Sequence, residues 1–264
     1  MESHPAVTSV HYAPPSELAA LLRAGELDVA LVPQVEARRD PSYRIVPELC
    51  VSCHGAIESI LLFSRESESP PTESGEGWDS LRRIAVDASS NSSVELLRVL
   101  LSQFGVAAEL EAVPPSMAAL EDPESPFDAV LLSGDAALEA AQASKLPRLD
   151  LGSVWFARTG LPFVFAVWLG RDGLDPATVE GLIEVGTSAL ARREELARSF
   201  VAEHPEVGDA ELAVRYVTDV VHYSLGTDEL LALRAFDRMR TEAGLVPSEK
   251  WMPRLFSRSA GATR

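Results

Sequence analysis

Short apolar segments alternate with helical segments along most of this sequence, and that alternation constrains the fold more than any other feature. Residues 28–33 form an apolar run closed by a proline, as expected of a buried strand. Residues 16–23 follow two prolines and end before Gly25, which predicts a helix with a glycine C-cap. Strands that alternate with helices predict an α/β fold with a mostly parallel sheet. The other predicted strands are residues 7–11, 43–46, 57–63, 84–86, 109–113, 127–132 and 163–169.

Residues 66–80 interrupt this pattern. They are rich in Ser, Glu, Pro and Gly and show no apolar periodicity, which predicts a flexible surface loop or linker. After the last predicted strand the sequence becomes helical, with helices expected at 176–204, 209–222 and 227–243. We therefore predict two lobes. Residues 1–80 and 160–264 form the first, which includes the helical C-terminal part, and residues 81–159 form the second.

Charge and composition exclude several classes of partner. The formal net charge of -17 argues against a nucleic-acid partner and against electrostatic docking on anionic lipid. No apolar run approaches the roughly 18 residues of a membrane span, and the first residues do not resemble an export signal, so we expect a cytoplasmic protein. An anionic ligand would need a local positive field, from a helix N-terminus or a few arginines.

A polar segment between a strand and a helix is the first candidate binding site. Four serines and an asparagine follow the predicted strand at 84–86, and Ser92 and Glu95 have the spacing of a capping box. Hydroxyls and free N–H groups at the positive end of a helix dipole can bind a carboxylate or phosphate. The same pattern is also typical of a helix start without a ligand. The residues are Ser89, Ser90, Asn91, Ser92 and Ser93.

Two glycine-containing turns are further candidates. Gly55 would let the backbone approach a ligand closely, and Ser59 follows in the same turn. Gly134 and Asp135 link the strand at 127–132 to a helix, where Asp135 is also a plausible N-cap. An ordinary turn explains the Gly55 segment at least as well, and for Asp135 the local sequence favours the N-cap interpretation over a ligand.

Cys50, Cys53 and His54 match the haem-attachment pattern Cys-x-x-Cys-His, but such attachment belongs mainly to exported proteins. A zinc site would need further ligands at metal spacing, and a redox Cys-x-x-Cys usually opens a helix after a strand. We therefore interpret the cysteines as incidental thiols, and predict no metal. The sequence also lacks the glycine-rich nucleotide-binding, zinc-protease and esterase motifs.

Five segments, taken in order, resemble the chorismate dehydratase family of the futalosine route to menaquinone. They are residues 21–33 (LLRAGELDVALVP), 43–50 (YRIVPELC), 59–65 (SILLFSR), 132–138 (LSGDAAL) and 160–168 (GLPFVFAVW). The resemblance spans about residues 14–245. It implies a two-lobed, type 2 periplasmic-binding-protein-like fold with parallel or mixed sheets and a ligand between the lobes.

The resemblance also implies an activity and a binding site. Family members are lyases that remove water from chorismate, a small carboxylate, to give 3-[(1-carboxyvinyl)oxy]benzoate, with no cofactor. The Ser/Thr-rich binding segment of the family corresponds to residues 89–93, a second binding segment includes Gly55 and Ser59, and a third includes Gly134 and Asp135. No catalytic base is identified among these positions, and Asp87 and Asp135 are interpreted as structural.

This sequence differs from the family pattern at three places. Family members begin with a strand and a Tyr-Leu-Asn motif, whereas this sequence starts at the apparent second strand, so the first strand is predicted to be missing. Asn91 stands where an arginine is usual, and His54-Gly55-Ala56-Ile57 replaces Asp-Gly-Pro-Val. Loss of an arginine removes a bidentate partner for a carboxylate. The alternative function is therefore a non-catalytic binding protein for a small carboxylate, and a dihydroxynaphthoate synthase of the same pathway is a third possibility.

Overall fold

The computed structural model describes residues 7–66, 69–87, 91–204 and 209–258, which form a mixed α/β structure. The strands are β1 (Val29–Pro33), β2 (Tyr43–Cys53), β3 (Ile60–Ser64), β4 (Arg83–Val86), β5 (Glu109–Ala112), β6 (Ala129–Ser133), β7 (Arg148–Asp150), β8 (Phe163–Arg171) and β9 (His222–Leu225). The α-helices are α1 (Pro15–Ala24), α2 (Asn91–Gln103), α3 (Ala118–Glu121), α4 (Asp135–Ala143), α5 (Leu151–Thr159), α6 (Pro176–Ala191), α7 (Arg193–Glu203), α8 (Ala210–Arg215) and α9 (Thr227–Glu242). Short 3₁₀ segments occur at Gln34–Arg38 and Trp78–Ser80, and a π-helical segment at Tyr216–Val220.

The chain divides into two compact units. Unit 1 consists of Met1–Ser52, Val164–Arg234 and Trp251–Arg264, and unit 2 of Cys53–Phe163 and Ala235–Lys250. These boundaries differ from those of the predicted lobes, 1–80 with 160–264 and 81–159. Residues 53–80 belong to unit 2 because they include β3, which pairs with β6 and β7. The second half of α9 also belongs to unit 2.

Unit 1 contains a four-stranded sheet with the order β1-β8-β2-β9, in which β1 runs antiparallel to β8 and β2 antiparallel to β9. Helix α1 starts with Pro15 and ends at Gly25, whose φ of 77° is left-handed, as the predicted glycine C-cap requires. Near the C-terminus, Leu255 forms an isolated parallel bridge with Ile45, and the Ile45 N–H donates to the Arg254 carbonyl at 2.7 Å. The main core of unit 1 includes the buried side chains of Leu22, Val32, Ile45, Val164, Val167, Leu169, Leu225 and Leu233.

Unit 2 contains a five-stranded sheet with the order β5-β4-β6-β3-β7. Strands β5, β4 and β6 are parallel, whereas β3 runs antiparallel to both β6 and β7. The central strands β4, β6 and β3 are almost completely buried, which explains their continuous apolar sequences. The sheet is thus mixed rather than mostly parallel, since alternation along the chain does not reveal the direction of β3.

The segment predicted as a flexible linker, residues 66–80, is packed into unit 2 over its described part from residue 69 onward. Trp78 is fully buried, and its ring lies 4.5 Å from that of Phe104. The indole N–H of Trp78 donates to the Thr72 carbonyl at 2.8 Å. The prediction of a surface loop is confirmed for residues 69–77, which form no strand or helix and are mostly exposed or half-buried. The loop is anchored on unit 2 by the buried side chain of Trp78, so the prediction that it is a flexible linker is wrong.

Two predicted helices are interrupted. The helix expected at 176–204 is divided at Arg192, where φ is -113° and ψ 11°. The helix expected at 209–222 is α-helical only to Arg215 and continues as the π-helical segment to Val220, so His222 opens β9 instead. The second interruption follows from the β-branched residues of the sequence VTDVV at 217–221, which have low helix propensity.

The strand predicted at residues 7–11 is not formed. Its two valines, Val7 and Val10, are three residues apart and cannot lie on the same face of a strand. No α-helix within the described parts of the chain is long and apolar enough to cross a membrane.

Candidate functional site

Four segments of unit 2 meet at one edge of its sheet because of the strand directions. Strands β4 and β6 are parallel and end at Val86 and Ser133. Strand β3 runs the other way, so its first residue, Ile60, lies opposite Ser133. The last residue of β7, Asp150, lies opposite Leu61. The described parts of the segments that follow β4, β6 and β7 and of the segment that precedes β3 therefore share this edge. We call it the carboxyl-terminal edge (residues 87, 91–93, 134–136, 150–153 and 54–59).

The predicted binding residues that the structure describes all fall in these segments. Ser89 and Ser90 lie outside the described residues. Asn91, Ser92 and Ser93 form the first turn of α2, Gly55 and Ser59 precede β3, and Gly134 and Asp135 follow β6. The topology of unit 2 thus brings together three segments that are far apart in the sequence.

The start of α2 differs from the predicted capping box. The helix begins at Asn91, so Ser92 lies inside its first turn rather than at the N-cap. The Glu95 carboxylate accepts a hydrogen bond from Arg240 Nε at 3.0 Å, which takes it away from the backbone at the helix start. Ser92 and Ser93 are only 4% and 1% exposed, whereas Asn91 is half-buried. The prediction of a capping box is therefore wrong, because an ion pair with a distant helix competes for Glu95.

The turn before β3 is fixed by a carboxylate that the sequence analysis missed. Asp150 Oδ2 accepts from the Glu58 N–H at 2.6 Å and the Ile57 N–H at 3.1 Å. Its Oδ1 accepts from the Ser153 N–H at 3.1 Å and caps α5. Burial raises the pKa of Asp150, and the surrounding backbone N–H donors oppose that rise.

A glycine in α5 allows this turn to approach the helix. A Cβ atom on Gly152 would lie 2.5 Å from the Gly55 carbonyl oxygen and 2.8 Å from Cys53 Sγ. Gly55 itself has a φ of 100°, with open space where a Cβ would lie, so its conformation rather than crowding requires glycine. An Asp followed by Leu-Gly before an apolar segment was the available sequence signal for a helix start at Asp150.

The segment that follows β6 is connected to the turn before β3 by a backbone hydrogen bond. The Gly134 N–H donates to the Ser59 carbonyl at 2.8 Å. Gly134 has a φ of 64° and a ψ of -141° and is the N-cap of α4, where no side chain of the described residues forms a capping hydrogen bond. Asp135 is the exposed first residue of the helix and not its N-cap. Unlike α5, whose start is capped by Asp150, α4 has an uncapped and accessible N-terminus.

Aromatic side chains and an ion pair support the edge from within unit 2. Trp155, Phe163 and Phe236 pack edge to face, with ring centroids 5.0 to 5.7 Å apart. The Arg240 guanidinium, 10% exposed in its side chain, lies 5.8 Å from the Phe236 ring and pairs with Glu95. Helices α2 and α5 are therefore held within unit 2 by a largely buried ion pair and by aromatic packing.

The two cysteines are buried free thiols. Burial raises the pKa of Cys50 and of Cys53 to about 12. Cys53 Sγ donates to the Gly55 carbonyl at 3.1 Å. Within the described residues, no group of three or more His, Cys, Asp or Glu side chains is arranged to hold a metal ion. The thiols therefore have the environment of structural rather than reactive cysteines.

A family model described as menaquinone biosynthesis matches residues 3–242. The chain belongs to the menaquinone biosynthesis family. A chorismate dehydratase of Thermus thermophilus is 31% identical over 247 residues, which cover 86% of this chain and 84% of that relative. The resemblance inferred from the five sequence segments is thereby confirmed.

Solved structures show the fold of this menaquinone biosynthesis family member. Protein AF1704 of Archaeoglobus fulgidus is 20% identical, with a TM-score of 0.62 and coverage of 89% of this chain and 86% of that one. The alkanesulfonate-binding protein SsuA of Xanthomonas axonopodis pv. citri, bound to MOPS, is 13% identical, with a TM-score of 0.64 and coverage of 92% and 84%. A Candida albicans protein described as having the generic periplasmic binding protein fold is 14% identical, with a TM-score of 0.62 and coverage of 95% and 88%. The predicted periplasmic-binding-protein-like fold is confirmed.

We expect Gly152→Ala to destabilise the protein although alanine is the better helix former. Helix propensity alone favours alanine by about 1 kcal/mol. The new Cβ would instead meet the Gly55 carbonyl, a backbone atom that cannot move without moving the turn. We expect a net loss of about 1 to 3 kcal/mol, measured by urea unfolding.

Gly186→Ala in α6 is the matched control for this variant. Its Cβ would lie 2.6 Å from Cδ1 of Leu49, a side-chain atom that can move by rotation. The loss should therefore be smaller than for Gly152→Ala. A Gly152→Ala variant as stable as the wild type would show that the turn does not depend on this close approach.

The thiols should resist alkylation in the native protein. At pH 8 a thiol with a pKa of about 12 is ionised in roughly one molecule in ten thousand. We expect iodoacetamide to modify neither cysteine of the native protein over an hour, and both after denaturation, as counted by intact mass. Rapid modification of the native protein would contradict the assignment of both as buried structural thiols.

Proposed function

We propose that this protein is a carbon–oxygen lyase that removes water from chorismate to give 3-[(1-carboxyvinyl)oxy]benzoate, in the futalosine route to menaquinone. The observation that carries the proposal is the 31% identity to the Thermus thermophilus chorismate dehydratase over 86% of the chain. The family match over residues 3–242 agrees with a role in the same pathway.

The proposed reaction needs few catalytic groups from the protein. A proton leaves the ring carbon that bears the enol-ether oxygen, the hydroxyl leaves the adjacent ring carbon, and the new double bond completes an aromatic ring. No electrons are gained or lost overall, so the chemistry does not call for a redox cofactor. Aromatisation supplies the driving force. The protein mainly has to hold the dianion in a reactive pose away from water.

The carboxyl-terminal edge of unit 2 suits the binding of a carboxylate. The N-termini of α2 and α4 begin there, and helix N-termini favour negative charge. They would provide the local positive field that a protein of net charge -17 otherwise lacks. Asn91, at the position where the family has an arginine, can donate hydrogen bonds but carries no charge. We therefore assign substrate binding to the residues predicted from the sequence: Gly55, Ser59, Ser89, Ser90, Asn91, Ser92, Ser93, Gly134 and Asp135.

Two carboxylates at this edge, those of Asp150 and Asp135, are poorly suited to act as the base. Both oxygens of Asp150 already accept backbone N–H groups. Asp135 is exposed at the first turn of α4, where its negative charge interacts favourably with the helix dipole and stabilises the helix. We infer that a carboxylate of chorismate itself accepts the proton, because the enol-ether group carries one close to the carbon that is deprotonated.

We also propose a cytoplasmic location and no nucleic-acid or membrane partner. A dianionic metabolite does not cross a membrane unaided, so an enzyme that consumes it must share its compartment. The net charge of -17 opposes binding to nucleic acid and to anionic lipid.

Incubation of the purified chain with chorismate tests the activity. We expect a product lighter by one water, identified by chromatography and mass against synthetic 3-[(1-carboxyvinyl)oxy]benzoate. Prephenate, which forms spontaneously, has the mass of chorismate and is therefore distinguishable. Absence of turnover together with a chorismate-dependent rise in Tm would replace this proposal with a non-catalytic binding protein.

Asp135→Asn distinguishes a structural carboxylate from a base. If Asp135 contributes to binding through the backbone at the helix start, the variant keeps kcat within about twofold, since a functional general base typically contributes 100-fold or more. KM should not rise, because one negative charge near a dianionic substrate is removed. Loss of kcat by a folded Asp135→Asn protein would instead make this carboxylate the base.

A further inference from the structure

We propose that Asp150 is a positioning residue, whose carboxylate holds the turn carrying Gly55 and Ser59 against the start of α5 and so sets the binding geometry at the carboxyl-terminal edge. The inference deepens the proposed function and rests on it where turnover is concerned. The geometric part of the proposal is independent of the reaction.

The contacts of Asp150 connect two elements that are distant in the sequence. One oxygen caps α5 through the Ser153 N–H at 3.1 Å. The other accepts from the Glu58 N–H at 2.6 Å, and the Ile57 N–H lies within 3.1 to 3.2 Å of both oxygens. Capping alone would need a single acceptor. The remaining hydrogen bonds hold the turn.

The turn needs an external constraint because its backbone is strained. Glu58 has a φ of 64°, which is uncommon for a residue with a side chain. Such conformations persist only when surrounding contacts hold them. The Glu58 N–H donates the shortest hydrogen bond to Asp150, so the constraint acts on the strained residue itself.

Displacement of this turn would reach two of the three proposed binding segments. Ser59 is the residue after Glu58, and its carbonyl accepts from the Gly134 N–H at 2.8 Å. Gly55 at the other end of the turn packs against Gly152 of α5. A shift at residues 57–58 is therefore transmitted both to the start of α4 and to Gly55.

The occupied oxygens argue for positioning rather than proton transfer. A base needs a lone pair directed at the substrate, and the hydrogen bonds of Asp150 are directed at the backbone. Protonation of Asp150 would also place an O–H donor among the backbone N–H donors. These N–H donors therefore favour the ionised carboxylate, which acts only as an acceptor.

Asp150→Asn tests the proposal with almost no change in shape. The amide retains one oxygen, and its NH₂ group places a donor against N–H donors either at the turn or at α5. We expect kcat/KM for chorismate to fall about tenfold or more, with a rise in KM, because small displacements of binding groups cost up to about 100-fold. Partial unfolding alone would lower kcat at unchanged KM. Amide exchange by NMR should be at least tenfold faster at Ile57 and Glu58 and unchanged at the buried Leu62.

Two further variants complete the experiment. Asp175→Asn changes the N-cap of α6, which accepts from the Ala177 N–H in unit 1, and should leave kcat/KM and the exchange of Ile57 and Glu58 unchanged. Gly152→Ala displaces the same turn and keeps the carboxylate of Asp150, although the new Cβ would also lie 3.1 Å from Asp150 Oδ1. Gly152→Ala should raise KM and accelerate the amide exchange of Ile57 and Glu58, as Asp150→Asn does. It therefore tests the proposal if Asp150→Asn fails to fold.

The outcomes separate this proposal from the proposed function. Kinetics of Asp150→Asn within twofold of wild type would overturn it, as would lost activity with unchanged exchange at Ile57 and Glu58, which would indicate a direct chemical role. If the wild type does not dehydrate chorismate, the proposed function fails. Exchange then decides the positioning role: faster exchange in Asp150→Asn supports it and unchanged exchange overturns it.

Discussion

The direction of β3 is the constraint on which the arrangement of unit 2 depends. Strands β4 and β6 are parallel, so the segments that follow them necessarily share an edge. Because β3 runs antiparallel to β6, the segment that precedes it joins that same edge, and the hydrogen bond between Ser59 and Gly134 closes the gap between them. A parallel β3 would place Gly55 and Ser59 at the opposite end of the sheet, away from the first turn of α2.

The electrostatics of this edge depend on which helix N-termini are already neutralised by a carboxylate of the protein. The N-terminus of α5 is neutralised within the protein by Asp150, and the N–H groups of the neighbouring turn are directed at the same carboxylate. The start of α4 has no side-chain cap among the described residues, and Gly134 and Asp135 are exposed there. Helix α2 begins with Asn91, Ser92 and Ser93. A helix start neutralised by an internal carboxylate, at α5, and an uncapped helix start, at α4, can coexist in a strongly acidic protein because these fields act over only the first turn.

Sequence patterns predicted the elements whose signal is local. The apolar run of β1, the glycine that ends α1 and the buried strands β4 and β6 all depend on residues within about ten positions, and the structure has them close to the predicted bounds. Family resemblance supplied the proposed binding segments, although only the strand pairing of unit 2 shows that their described parts meet. The errors arose where a distant contact outweighs local preference. Arg240 takes Glu95 from its predicted capping role, Trp78 anchors a segment that looks disordered, and Asp150 acts on a turn 92 residues away in the chain.

The strand order of the two sheets also sets the order in which they can form during synthesis. All strands of the unit 2 sheet lie between residues 60 and 150, so that sheet is complete once this one stretch has left the ribosome. In unit 1, β1 and β2 are made early but pair with β8 and β9, which follow more than a hundred residues later. The apolar residues of β1 and β2 therefore have no strand partner in the nascent chain while the sheet of unit 2 forms. This makes the segment that contains β1 and β2 prone to aggregation during synthesis.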